Sequence, residues 1–153
     1  MSPEAKLASL GLTLPQPPAP VASYVPTVRV GHLVFVSGQV PLRDGGLPRT
    51  GAIGASLTQE EGMEEARFCA INVLAHLRGV TGSLDDIERI VKLTVFVSSA
   101  PGFRAQPTVA NGASDLMVEV FGNAGRHARA AVGVNELPLG APVEVEAIAA
   151  LHA

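Results

Sequence analysis

The residues best equipped for chemistry lie in the last quarter of the chain. Arg126-His127-Ala128-Arg129-Ala130-Ala131-Val132-Gly133-Val134 sets a guanidinium among small neighbours. After a Leu137-Pro138 turn, Val143-Glu144-Val145-Glu146-Ala147-Ile148-Ala149 sets carboxylates among apolar ones. Both stretches read as strands, expected to be neighbours, which would hold an arginine fork beside a carboxylate. The fork suits the carboxylate of a small anionic molecule, and a glutamate beside it can hold or activate a water.

Each residue also has a plainer role. A period of two puts Val143, Val145 and Ala147 on one strand face and Glu144, Glu146 and Ile148 on the other, so the glutamates also fit a solvated face. Arg129 also fits an ordinary ion pair, worth little when exposed. Arg126, in a Gly-rich loop, is read as solvated. His127 has a side chain that titrates near neutrality, but no Cys or His partner stands at ligand spacing and no metal site is assigned. Tyr24 is the only tyrosine; it either packs or hydrogen-bonds a ligand. Ser37 sits beside Gly38 without a His–Asp pair to activate it, so a hydrogen-bond donor is expected rather than a triad nucleophile. Asn111 is a ligand contact or a helix-surface amide.

The elements that must position these groups follow from periodicity and turn chemistry. Pro3 marks a helix start in the opening twelve residues, and Pro15, Pro17, Pro18 and Pro20 make an extended tether. Residues 25–30 and 33–36 read as a hairpin turning at Gly31-His32. Gly45, Gly46, Pro48 and Gly51 make a loop. Thr58 with Glu61 forms a capping box, and Met63, Ala66, Ala70, Ile71, Leu74 and Leu77 then fall on one helical face, which Gly79 and Gly82 end. Asp85-Asp86 opens a turn before a β-branched strand over residues 90–97. A second helix is expected over residues 106–121, weakened by roughly 1 kcal/mol at Gly112. Strands over 128–134 and 142–151 close an α+β order β-β-α-β-α-β-β, with helices on one face of the sheet. The other face needs a cover, and a neighbouring subunit is the simplest one.

Bulk properties narrow the function. The 153 residues suit one domain with a real core, and 47% hydrophobic against 16% charged residues marks a folded chain. A net charge of −3 offers nucleic acid no general attraction. Only Arg43 with Arg49 and Arg126 with Arg129 cluster, and 4% aromatics with no Trp provide no stacking platform. Cys69 stands alone, excluding an internal disulfide framework, and is read as a structural thiol. Neither a signal peptide nor a membrane span is read, so the expected location is the cytoplasm. No G-x-G-x-x-G or Walker pattern appears.

Taken in order, Ser23-Tyr24-Val25, Val36-Ser37-Gly38-Gln39-Val40-Pro41, Ile90-Val91-Lys92-Leu93-Thr94-Val95-Phe96-Val97, Ala128-Arg129, and Leu137-Pro138 with the Val143–Ala149 stretch resemble the Rid family of reactive intermediate deaminases (YjgF-like, L-PSP). The resemblance implies a chorismate-mutase-like α+β fold, with a mixed sheet carrying two helices on one face. It also implies a homotrimer with ligand clefts between subunits. It makes residues 1–20 an N-terminal extension of a single domain over residues 21–153, with added residues around 45–57 and 112–125. The implied activity is hydrolysis of 2-imino or enamine acids, such as 2-aminoacrylate, to 2-keto acids and ammonia, without metal or organic cofactor. By motif, Arg129 matches the arginine that holds the substrate carboxylate and Glu144 the glutamate associated with the water. Tyr24, Ser37 and Asn111 match polar cleft residues. Ala131 stands where the deaminases usually carry Cys, and His127-Ala128 replaces the usual aromatic-proline context. The alternatives are a trimeric protein that binds keto acids without turnover and, against its composition, an endoribonuclease.

Overall fold

A computed structural model describes residues 1–17 and 23–153. Helix α1 (Pro3–Ser9) opens the chain, followed by strands β1 (Thr27–Val30) and β2 (Leu33–Gln39). Helix α2 (Gln59–Thr81), strand β3 (Ile87–Ser98) and helix α3 (Gln106–Phe121) come next. Strands β4 (Ala128–Val134) and β5 (Val143–Leu151) end it. The sheet order is β1-β2-β5-β3-β4. Among these strands only β3 and β4 pair in parallel; β1–β2, β2–β5 and β3–β5 are antiparallel. The sheet is therefore mixed, as expected. No described helix is long and apolar enough to cross a membrane.

Alternation decides the layers. Val34, Val36, Leu93, Val95, Val97, Val143, Val145, Ala147 and Ala149 are all buried, and they meet α2 and α3 on one side of the sheet. Leu33 and Phe35 remain exposed on β2, whose alternate residues Val34 and Val36 fill that core, and Val28 and Val132 remain exposed on the outer strands β1 and β4. Among the described residues nothing covers that face.

Helix α2 starts where the capping box places it: Glu61 N–H donates to Thr58 Oγ1 at 3.1 Å, and Thr58 N–H donates to Glu61 Oε2 at 2.8 Å. It ends at Gly82, whose positive φ suits a residue without a Cβ. Gly79 lies inside the helix rather than terminating it. Gly112 sits within α3 because the two helices touch there. A Cβ at position 112 would run into the Met63 backbone carbonyl, so helix propensity yields to close approach.

The loop between β2 and α2 is tied down by charge. Glu65 is fully buried, accepting from Arg43 at 2.8 and 2.9 Å and from Arg49 at 3.1 Å. Arg43 also stacks on Phe68, 3.6 Å from the ring centroid. One of the two basic clusters is thus spent on structure.

The opening segment is folded onto the domain. Leu7 and Leu14 are buried in the common core. Glu4 accepts from the Leu84 N–H at 2.9 Å, while its own N–H donates to Asp85 Oδ1 at 2.9 Å. Part of the proline tether, and the boundary expected near residue 20, lie outside the described residues.

Gly112→Ala pits roughly 1 kcal/mol of helix propensity against overpacking that costs about 1–3 kcal/mol. Because the obstacle is backbone, overpacking wins: the variant should unfold at a lower urea concentration than wild type.

Candidate functional site

Pro107, Asn111, Ser114 and Val118 recur at three- and four-residue spacing, so they form one stripe of α3. Arg129 pairs in register with buried Leu93, so its side chain leaves the sheet on the helix side and meets this stripe. Its Nη1 donates to Asn111 Oδ1 at 2.8 Å and Ser114 Oγ at 3.1 Å; Nη2 donates to the Pro107 carbonyl at 3.3 Å. Of five guanidinium donors, three are engaged by described residues. The donors left, on Nε and Nη2, can still meet a carboxylate. A groove of about 270 Å³ beside them is lined by Ser114, Asp115, Val118, Arg126, His127 and Arg129.

His127 closes this cluster from below. Its Nδ1 lies 2.6 Å from the Gly125 carbonyl and its Nε2 2.9 Å from Ser114 Oγ. Burial pulls its pKa down, the Gly125 carbonyl opposes that, and the Arg129 charge adds to the lowering.

Ser37 and Glu144 lie on the bare face, and Tyr24 stands in the segment before β1. Between Val36 and Gln39 strand β2 carries one residue more than β5 does between Ala147 and Val145, a bulge at Ser37-Gly38. The Ser37 N–H donates to the Pro26 carbonyl at 2.9 Å and its hydroxyl to the Val25 carbonyl at 3.0 Å, fixing the segment that carries Tyr24. Tyr24 is 51% exposed. Gly38 is required because the Glu144 carboxylate occupies the space of its missing Cβ. Glu144 is half-buried and has no ion-pair partner among the described residues. Its pKa is raised, first by burial and then by Glu146. An adjoining cavity of about 270 Å³ is lined by Phe35, Ser37, Lys92, Thr94, Glu146 and Ile148, among others.

The geometry corrects one expectation. Strands β4 and β5 are not neighbours, because β3 lies between them. Helix α3 carries the chain back so that β4 runs parallel along one edge of β3, while β5 fills the slot between β2 and β3. Arg129 faces the helices, whereas Glu144, opposite Phe96, faces away from them. Within one chain the candidates form two groups, Arg129 with Asn111 and Glu144 with Ser37, on opposite sides of the sheet. Ser114 and Pro107 were not visible as site residues in the sequence. Their signal is spacing: three residues after and four before Asn111 on the same helix.

A sheet with paired helices on one face and polar groups divided between its two sides defines a class of small α+β proteins. Residues 4–151 match the family described as "YjgF/chorismate mutase-like, putative endoribonuclease", and the chain belongs to that family. It is 51% identical over 149 residues to Protein TCP17 of Trypanosoma cruzi, covering 97% of this chain and 93% of that one. It is 28% identical over 141 residues to the 2-iminobutanoate/2-iminopropanoate deaminase of Dermatophagoides farinae, covering 92% and 95%. The crystal structure of a "putative endoribonuclease" from Shewanella oneidensis superposes with a TM-score of 0.95 at 34% identity, covering 99% and 100%.

The raised Glu144 pKa has a defined sign. A folded-state pKa above the unfolded one favours the protonated fold, and that contribution is lost as pH rises through the folded value. Glu144→Gln, which copies the neutral form, should therefore raise the urea midpoint at pH 7. The advantage should vanish below about pH 3, where the unfolded carboxyl is also protonated.

Proposed function

We propose that the protein is a 2-imino acid deaminase working as a homotrimer, each site assembled from two copies. The observation that carries this reading is the division of polar groups. Arg129 keeps donors free of the described residues at an edge strand, and Glu144 holds a half-buried carboxylate on the face that the described residues leave bare. Laying the β4 edge of one copy across the bare face of the next would join them. It would also cover Val28, Phe35 and Val132. The mite relative's name supports the substrate class.

The chemistry suits these groups. Arg129 grips the carboxylate and aligns the neighbouring C=N carbon, and such positioning supplies a large part of the barrier reduction. Water oxygen adds to that carbon while Glu144 takes the water proton. Returning that proton to nitrogen gives a carbinolamine, and Glu144 then moves the hydroxyl proton to the same nitrogen, so that the C–N bond breaks as the C=O forms, leaving a keto acid and ammonia. A carboxyl with a raised pKa is better able to carry that proton.

Arg129→Ala should reduce kcat/KM for 2-iminobutanoate by about 100-fold, the scale of losing charge-assisted hydrogen bonds, read as ammonia and keto acid release. Full activity in that variant would sink the assignment. Keto acid binding without turnover by wild type would establish a binding protein instead, and Arg129-independent RNA cleavage a nuclease. Mixing subunits tests the shared site. Arg129→Ala and Glu144→Gln chains, each strongly impaired alone, should recover about a quarter of wild-type activity when reassembled randomly into trimers. No recovery despite mixed trimers would mean that the two residues do not share a site.

A further inference from the structure

Building on the deaminase reading, we infer that His127 is a positioning residue for Arg129, acting through the Ser114 hydroxyl. Hydrogen-bond polarity carries the argument. The Gly125 carbonyl can only accept, so at 2.6 Å the ring proton must sit on His127 Nδ1. In the neutral ring Nε2 is then an acceptor, and the Ser114 hydroxyl 2.9 Å away must donate to it. With its proton committed, Ser114 Oγ presents lone pairs to Arg129 Nη1 at 3.1 Å. The chain of donation runs from guanidinium to hydroxyl to imidazole to carbonyl, each group having one role.

Its anchor is rigid. Gly125 is buried, and a Cβ there would strike the Met117 carbonyl of α3, so this backbone lies against the helix. Among the described residues, the charged groups lining the groove with the ring are Asp115 on α3 and Arg126 and Arg129 on its own segment. From β3, Arg89 reaches the Arg126 carbonyl at 3.0 Å. Cations outnumber anions here, which favours the neutral ring that the relay requires. Without an acceptor at position 127, a helical serine turns its hydroxyl toward the carbonyl one turn back, and Arg129 loses a fixed partner.

The test compares wild type with His127→Leu, His127→Gln and Ser114→Ala. Gln offers a side-chain oxygen in place of Nε2. Nitrogen NMR reads the rotation of the Arg129 guanidinium without any substrate. Wild type and His127→Gln should show separate, slowly exchanging Nη signals, whereas His127→Leu and Ser114→Ala should show them merged. Affinity for 2-oxobutanoate should fall by about fivefold in His127→Leu and recover in His127→Gln, the scale of one weakened hydrogen bond. In imine hydrolysis the loss should fall on KM more than on kcat. Slow guanidinium rotation and wild-type affinity in His127→Leu would overturn the inference. If that variant does not fold, the same result in Ser114→Ala overturns it. A wild type that neither binds 2-oxobutanoate nor hydrolyses imines would overturn the deaminase reading, while guanidinium rotation still decides the role of His127.

Discussion

Strand β5 hydrogen-bonds to β2 on one edge and to β3 on the other, and the architecture is arranged around that double pairing. A central strand has no freedom of register or tilt. Its alternation of Val143, Val145, Ala147 and Ala149 with Glu144, Glu146, Ile148 and Ala150 therefore dictates which side of the whole sheet the helices cover. A slip of one residue would drive two carboxylates under α2 and α3, where an unpaired charge costs several kcal/mol. The glutamates thus serve the fold before they serve any chemistry.

Strand β4 plays the opposite part. Among the described residues it pairs only with β3, which leaves its other edge open, and its side chains are small except for Arg129 and the valines. Arg129 is on the helix side, yet it does not violate the rule that buried charges must be matched, because α3 supplies acceptors at the spacing of its own turns. Asn111, Ser114 and the Pro107 carbonyl hold the charge without neutralising it. That differs from Glu65, whose carboxylate is fully consumed by Arg43 and Arg49. The first arrangement retains free donors for a ligand, and the second locks a loop.

Much of the fold was legible along the chain. Helix α3 and strand β4 fall on the expected residues, and the capping box at Thr58 places the start of α2. Strand ends were less visible: β3 begins three residues before its β-branched run and β1 starts two residues later than expected. Pairing across a sheet extends or trims a strand whatever its local composition. Gly112 looked like a weakness in a helix because its justification, contact with Met63, lies about fifty residues away in sequence.

The sequence by itself determined the element types, which residues alternate along each strand, and the family resemblance. These depend on local periods of two and 3.6 and on short ordered motifs. Tertiary structure alone decided that β3 separates β4 from β5, that Arg129 and Glu144 lie on opposite sides, and that Ser114 and His127 join Asn111 around the guanidinium. Strand order is a property of which edges meet, and edges carry only backbone groups that every sequence shares.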